Sequence, residues 1–280
     1  MRTPRRSAER CRRRPSTTPA SAALRGVAVA LFWLALWQLA SLAVGQELLV
    51  PSPAVVAATF GELVVTAAFW QITGWSLLRV GLGFLAGVVV GFLAAVLTVR
   101  YRTVDLLVSP ALRVVRAAPV ASFIILVLVW IPVGRLPGFI SFLMVVPVVW
   151  DAMTTGLRSQ SPELLEMATV FRLGWWPTLR RVRLPQLAPF FVAASTTAMG
   201  LAWKSGIAAE VIARPPLSIG RQLQDAKIYL ETPAVFAWTI TAVGLSLLLE
   251  ALLRRSTRRW RTIQTPPRAS VAKGDDDAAL

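Results

Sequence analysis

The residue types that carry most enzyme chemistry are scarce in this chain. It has no histidine among its 280 residues, and its single cysteine, Cys11, lies in an arginine-rich segment. Sites that pair histidine with serine or cysteine are therefore excluded, as are histidine zinc sites, cysteine metal clusters and an intrachain disulfide. We predict no catalytic residues, no metal site and no cofactor bound by this chain.

A loop that binds nucleotide phosphates is also missing from the sequence. The pattern G-x-x-x-x-G-K-[ST] does not occur, and the pair Lys204-Ser205 lacks the glycines that would precede it. The chain therefore cannot bind ATP by that mechanism, and energy from ATP would have to come from a partner.

One segment has the features of a short surface helix. Ser161 is a good N-cap and Pro162 a good first helical residue. Glu163 then lies near the positive end of the helix dipole. Gly174 is placed to end the helix, and a basic, aromatic stretch follows over residues 175–183.

The same helix carries an apolar stripe. Leu164, Ala168 and Phe171 fall at i, i+4 and i+7, which places them on one face. A short helix with no core of its own would leave this face exposed, which predicts a docking surface for another protein. The alternative is a helix that lies on a bilayer surface or packs on its own bundle.

The remainder of the chain reads as membrane spans. Hydrophobic residues make up 55% of the chain and charged residues 16%, and the mean hydropathy is +0.61. Runs of about 20 apolar residues suit a hydrocarbon core of about 30 Å, so we predict an all-α integral membrane protein with about six spans. The predicted spans are Leu24–Val44, Leu78–Val99, Ala117–Val133, Leu136–Met153, Gln186–Gly206 and Pro233–Leu253.

The positive residues orient these spans. The formal charge is +16, and 24 of the 30 Lys and Arg residues lie in segments 1–25, 100–116, 157–185 and 254–280. Positive loops stay in the cytoplasm, so both termini and the Ser161 segment, between spans four and five, are expected there. Because the charge alternates with apolar spans, we predict a multi-pass inner (plasma) membrane protein with lipid contacts and no nucleic-acid partner.

Three regions follow from this pattern. Residues 24–255 form the transmembrane domain, and the polar tails 1–23 and 256–280 are predicted to be disordered and cytoplasmic. The basic tail is a topology signal or, alternatively, a segment attracted to anionic headgroups. The first apolar run of about 20 residues exceeds the signal-peptide range of roughly 7–15, so it is interpreted as an uncleaved span.

Two kinds of residue inside the spans have predicted roles. Gly83, Gly87 and Gly91 lie four apart, which predicts close helix packing in lipid. Candidates for a translocation pathway are Ser195, Thr196, Lys204 and Glu210. Alternatively, Lys204 snorkels to the interface, and the two hydroxyl residues bond to a neighbouring helix.

The predicted surface helix that contains Glu166 resembles, together with the segment after it, a family motif. Glu166-Met167-Ala168 and, further on, Leu184-Pro185 resemble the ends of the EAA loop of ABC importer permeases, the binding-protein-dependent transport inner-membrane components. Met167 replaces the usual second Ala, and Arg172 occupies the usual Gly position. Further similar pieces span about residues 50–255 and point to the nitrate/sulfonate/taurine branch. They lie at 49–53, 76–80, 116–119, 200–204 and 209–212.

The resemblance implies an assembly. In this family the EAA loop, here between spans four and five, is a coupling helix that fits a groove on a cytoplasmic ATP-binding subunit, which holds ATP-Mg. An extracytoplasmic binding protein delivers the substrate, and the permease alternates between outward and inward states. One six-span chain implies a homodimer, and the branch implies a small anion such as a sulfonate or nitrate.

The resemblance also assigns residues to the coupling loop. They are Glu163, Leu164, Glu166, Met167, Ala168, Phe171, Gly174, Arg180, Arg181, Leu184 and Pro185. Glu166 would contact the ATPase or brace the turn. Arg180 and Arg181 would pair with acidic groups of the partner or, alternatively, bind lipid headgroups.

Three other functions would also suit an apolar, multi-pass chain. A secondary transporter would show internal repeats and ionisable groups near the middle of the membrane. A membrane-embedded enzyme would need a catalytic cluster, and a membrane scaffold would leave the EAA pattern unexplained. The sequence shows no convincing internal repeat, almost no charge in the middle of the spans and no catalytic cluster. Together with the EAA pattern, this favours an importer permease.

Overall fold

The computed structural model describes the backbone of residues 19–261 and the side chains of residues 24–256. This part of the chain is helical and contains no strand, which confirms the predicted all-α class. The helices are α1 Pro19–Val44, α2 Pro53–Val64, α3 Ala67–Arg100, α4 Arg102–Ala117, α5 Val120–Val127, α6 Leu136–Arg158, α7 Pro162–Val170, α8 Trp175–Thr178, α9 Leu184–Ala213, α10 Ile219–Ile228 and α11 Thr232–Arg261. A π-helical stretch, Leu179–Arg183, joins α8 to α9.

Four helices in the described part are long and apolar enough to cross a membrane. They are α1, α3, α6 and α11. Helices α4 and α5 form a further apolar pair that is bent by 105°. Helix α9 has 30 residues, which makes it about 45 Å long and sufficient in length to cross, but its composition is more mixed. The chain is therefore a multi-pass membrane protein, with four clear spans, one bent pair and α9.

The predicted third span, Ala117–Val133, is wrong as a continuous helix. Within it, Ala117 is the last residue of α4 and Val120–Val127 forms α5, with a break between them. The break falls at Ala118, which is extended (φ −80°, ψ 143°), immediately before Pro119. Proline disfavours the α conformation in the residue before it and lacks a backbone donor, so the helix ends here.

Both predicted disordered tails are shorter than expected in the described residues. Helix α1 begins at Pro19, inside the predicted tail 1–23, and α11 continues to Arg261, inside the predicted tail 256–280. The rest of each tail lies outside the described residues.

Helices α3 and α6 pack with almost no space between their backbones. A Cβ atom at Gly83 would overlap the carbonyl oxygen of Gly138. A Cβ at Gly87 would lie 2.7 Å from the side chain of Val145, and one at Gly91 would lie 2.8 Å from the Val146 carbonyl oxygen. The three glycines of the predicted packing face therefore all lie against α6, where no larger residue fits.

Buried polar side chains join the central helices. Each bonds across a helix interface, which satisfies a group that lipid cannot. Trp150 Nε1 donates to Thr98 Oγ1 (3.0 Å), Ser141 Oγ to the Ala202 carbonyl (3.0 Å), and Trp203 Nε1 to the Ala242 carbonyl (2.8 Å). These bonds connect α6 with α3, α6 with α9, and α9 with α11.

Two ion pairs hold the amphipathic helix α4 beside α6. Arg158 contacts Asp105 at 2.9 Å, and Arg116 contacts Asp151 at 2.8 Å. All four side chains are at least one-third exposed, so each pair contributes little free energy by itself. Together they fix the direction in which α4 runs along α6.

The glycine interface yields a prediction with an internal control. Gly83→Ala forces α3 away from the Gly138 backbone and should reduce stability by about 1–3 kcal/mol. Gly81→Ala should leave stability unchanged or slightly higher, since no atom lies within 4 Å of a Cβ there. The measurement is the Tm of the detergent-purified protein by size-exclusion chromatography after heating. Equal Tm values for the two variants would contradict the interface.

Candidate functional site

Helix α7 forms at the predicted position, but its start is held by a residue that the sequence analysis missed. Ser161 occupies the N-cap without a side-chain cap bond. Its backbone N–H instead donates to Gln186 Oε1 at 2.9 Å, and Gln186 Nε2 donates to the Val182 carbonyl at 3.2 Å. Gln186 thus ties the beginning of the loop to the beginning of α9. Its position directly after Leu184-Pro185 was the only sequence signal.

The structure divides the predicted apolar stripe of α7. Ala168 is 2% exposed and faces the rest of the chain, so its placement on the exposed stripe was wrong. Leu164 and Phe171 remain exposed, and with Met167 and Val170 they form what we call the docking face. The side of a nine-residue helix that is buried depends on its neighbours in space, which periodicity does not report.

Acidic residues adjoin the docking face. Glu163 and Glu166 are both exposed, and neither forms an ion pair among the described residues. The helix therefore offers water an apolar face with two carboxylates beside it. Such a surface suits a protein groove with a basic rim.

Helix α7 ends in a Schellman turn centred on Arg172. The Leu173 N–H donates to the Ala168 carbonyl and the Arg172 N–H to the Thr169 carbonyl, both at 2.9 Å. Arg172 has φ +50°, the left-handed conformation that favours glycine at this position. Gly174 was predicted to end the helix, and this was wrong, because the turn is complete two residues before it.

The basic part of the loop returns the chain to the bundle. Arg180 and Arg181 are exposed in the π-helical stretch, and Trp175 and Trp176 are exposed just before it. Helix α9 then begins at Leu184-Pro185, with proline in its first turn, where no backbone donor is needed. Exposed tryptophans beside arginines are typical of a membrane interface.

A buried polar cluster lies at the opposite end of α9. Glu210 is 0% exposed, and its Oε2 accepts bonds from Ser76 Oγ (2.9 Å) and the Gly220 N–H (3.2 Å). Arg79 lies 3.8 Å from its Oε1. The cluster joins α3, α9 and α10, and it brings together two sequence pieces that resembled the family separately.

Arg79 also holds the loop before α10. Its two terminal nitrogens donate to the carbonyls of Leu217 (2.9 Å) and Pro216 (2.8 Å). Gly220 fits only as glycine, because a Cβ there would overlap the backbone of Glu210. Glu210 is therefore enclosed by protein in this conformation, and its predicted place in a translocation pathway is not supported.

Lys204 lies at an open site. It lines a cavity of about 400 Å³ between α9 and α11 together with Ser246 and Glu250. Glu250, which the sequence analysis missed, comes close to α9 because Gly200 has no side chain, and a Cβ there would lie 3.0 Å from Glu250 Oε1. The sequence feature that could have identified Glu250 is that it is a single acidic residue in the apolar run of α11.

The two predicted hydroxyl residues do not join Lys204 in that cavity. Ser195 is 3% exposed, and its hydroxyl has no hydrogen-bond partner among the described residues. Thr196 Oγ1 donates to the Val192 carbonyl of its own helix at 2.8 Å. Of the four predicted pathway residues, only Lys204 faces open space.

Long apolar helices around buried polar contacts, with an apolar helix face exposed at one end, define a multi-pass membrane protein with an unpartnered surface helix. Residues 87–262 match the family described as binding-protein-dependent transport system inner membrane component. The chain belongs to this family, and it is a permease subunit of an ABC importer. The assignment made from the EAA loop is confirmed.

Two curated relatives come from the sulfonate branch. The chain is 25% identical over 244 residues to a putative aliphatic sulfonates transport permease of Bacillus subtilis, a match that covers 85% of this chain and 88% of that protein. It is 25% identical over 230 residues to the taurine transport system permease of Escherichia coli, covering 80% and 83%. The chain spans most of both relatives.

A solved structure supports the fold. An amino acid ABC transporter with histidines aligns with a TM-score of 0.53 at 17% identity, covering 67% of this chain and 90% of that one. At this identity the likeness concerns the arrangement of helices alone.

The turn at Arg172 provides a second prediction. A non-glycine residue in the left-handed region costs roughly 1–2 kcal/mol, so Arg172→Gly should raise the Tm. Arg172→Ala removes the same side chain but keeps the backbone cost, and it should not raise the Tm. If both variants stabilise equally, the side chain rather than the backbone was unfavourable, and the turn carries no strain.

Proposed function

We propose that this permease pairs with a second copy, docks an ATP-binding subunit on α7 and passes a small sulfonate-type anion inward. The observation that carries the proposal is the exposed apolar docking face of α7, a helix whose N-cap residue Ser161 is bonded to Gln186 of α9. In this proposal both termini and α7 lie in the cytoplasm, as the distribution of Lys and Arg indicates.

The exposure of the docking face supports a protein partner in water. Phe171 is 71% exposed and Val170 is 78% exposed, in the part of the molecule where the positive loops lie. Aromatic and aliphatic side chains that project from a helix are the usual anchors in a groove of a partner. Ala168 would not contact the partner, because it packs inward.

The connection between α7 and α9 supports a mechanical role. Gln186 bonds to Ser161 at the start of the loop and to Val182 near its end. The Schellman turn ends α7 with two backbone hydrogen bonds. A displacement of α7 by the partner would therefore reach α9, which packs on α6 and α11. The binding and hydrolysis of ATP-Mg would take place on the partner, with no catalytic role for this chain.

The cavity between α9 and α11 supports a pathway at a subunit boundary. Lys204 lies within a long helix of the membrane domain, where a charge exposed to lipid is costly, and Glu250, across the cavity from it, contacts Arg254 at 3.7 Å. A second copy of the chain and enclosed water would relieve this cost. Lys204 would then supply the positive charge that attracts an anionic substrate, and Glu250 the opposing charge that lets it leave.

Docking is tested by co-purification. The tagged chain, expressed from its native locus, is examined by native mass spectrometry as wild type and as a Leu164→Asp, Phe171→Asp variant. Loss of two central anchors should weaken docking by roughly 2 kcal/mol or more, about thirty-fold. Thr169→Asp is the control, since it adds a carboxylate on the opposite side of α7, and each single variant, Leu164→Asp or Phe171→Asp, matches its charge.

A complex of two permeases and two ATP-binding subunits, lost in the double variant and kept in the control, is the expected result. Retention of the ATP-binding subunits by the double variant would place their contact elsewhere. A wild-type complex with a single permease would contradict the pairing.

The substrate charge is tested by uptake of ethanesulfonate and nitrate into vesicles that contain the whole transporter. Lys204→Gln should lower uptake of these anions by about tenfold, the loss of one charge contact of about 1.4 kcal/mol, and Lys204→Arg should restore much of it. Lys227→Gln, an exposed lysine of α10, is the control. Equal uptake by Lys204→Gln and wild type would remove Lys204 from the pathway.

A further inference from the structure

An apolar cavity of about 530 Å³ lies between α3, α6 and α9, on a different side of α9 from Lys204. Every residue that lines it is apolar, and none belongs to the docking face or to the Glu210 cluster. Val89 and Leu93 come from α3, Met153 from α6, and Leu187 and Phe191 from α9.

The cavity opens toward lipid. Val89 is 57% exposed, Leu93 is 53% exposed and Leu184 is 42% exposed. These side chains belong to helices of the membrane domain, where exposed apolar groups contact acyl chains. An apolar recess in this position has the shape and chemistry to hold a chain of a membrane lipid.

Two arginines lie close in the chain to residues that line this recess. On α3, Arg100 lies seven residues after Leu93 and therefore on the same helix face. On the other side, Arg183 immediately precedes Leu184, which lines the cavity. From Val88 to Arg100 the helix rises about 18 Å, comparable to half of a hydrocarbon core of about 30 Å.

Neither arginine is neutralised within the described residues. Both are exposed, and neither forms an ion pair with a carboxylate there. The guanidinium of Arg100 lies over the ring of Tyr101, 5.2 Å from its centroid. Tyr101, half exposed, is itself a residue suited to the headgroup region.

We propose that this recess binds an anionic phospholipid, with an acyl chain in the cavity and the headgroup phosphate between Arg100 and Arg183. The apolar lining selects a lipid over free phosphate, and the two unpaired positive charges select an anionic headgroup over a zwitterionic one. Basic pockets between spans on the cytoplasmic side are typical sites for such lipids.

The site also has a place in the mechanism. Leu184 begins the helix that directly follows the coupling loop, and Gln186, which ties α7 to α9, lies two residues further on. A lipid in the recess would pack against the part of α9 that receives motion from α7. Its binding is independent of the substrate, so it can be tested separately from transport.

The test uses native mass spectrometry of the whole transporter released from nanodiscs of equimolar phosphatidylglycerol and phosphatidylcholine. Wild type should retain phosphatidylglycerol preferentially. Arg100→Gln with Arg183→Gln should lower that retention by about fivefold per arginine. Arg113→Gln with Arg255→Gln removes the same charge away from the cavity and should retain the wild-type level.

A second variant separates the chain site from the headgroup site. Ala188→Trp fills the cavity without changing charge and should reduce retention of both lipids. Equal retention of the two lipids by wild type, or full retention by Ala188→Trp, would overturn the proposal.

A second copy of the chain over the recess would also overturn it, and this is checked by crosslinking. Because Cys11 is the chain's one cysteine, Cys11→Ser gives a background in which Val89→Cys is the only thiol. The proposal expects no disulfide between copies at this position. Efficient crosslinking would assign the recess to a subunit interface.

Discussion

The contact on which the bundle depends is the close approach of α3 and α6. In lipid, apolar side chains gain nothing by turning inward, so helices associate through close packing and the hydrogen bonds it permits. Gly83 and Gly138 meet backbone to backbone, and no side chain fits between them. Once α3 and α6 are fixed at this distance, Trp150 reaches Thr98 and Ser141 reaches α9.

The second constraint is the burial of Glu210. A carboxylate without exposure must be held by donors, and here a serine hydroxyl, a backbone N–H and a nearby guanidinium surround it. These groups come from α3 and from the loop that leads into α10. The cluster therefore locks one end of α9 to α3, whereas the other end of α9 is held by Gln186 to α7. In the proposed coupling, motion of α7 would act on a helix that specific bonds hold at both ends.

The sequence predicted the parts of this arrangement that depend on local chemistry. Long apolar runs located α3, α6 and α11, and the spacing of Gly83, Gly87 and Gly91 located the face of α3 that packs. Pro119 carried the signal for the break between α4 and α5, but the apolar run across it suggested a single span. Hydropathy located the apolar α5, whereas the amphipathic α4, with four charged residues, has no continuous apolar run and was not predicted as a helix.

The failures lie where position in space decides. Ala168 and Leu164 share a stripe in the sequence, yet one packs inward and the other faces water, since α7 rests on the chain that follows it. Glu210 and Lys204 are six residues apart in one helix, and both are ionisable residues near the end of a span. Ser76 and Gly220, distant in the chain, enclose one of them, and nothing in the described residues encloses the other.

Whether an exposed surface is favourable depends on the medium that it faces, water or lipid. In the membrane-spanning window of α1, 6% of the residues are buried. The exposed apolar side chains of this helix suit lipid and need no protein partner. The docking face of α7 is apolar beside the exposed arginines of the same loop, whereas Lys204 is an exposed charge on a long helix of the membrane domain. An apolar surface in water and a charge in lipid are both unfavourable, so covering each one lowers the free energy of the molecule. In the proposed assembly an ATP-binding subunit would cover the first surface and a second copy of the chain the second, and helix α9 would connect them.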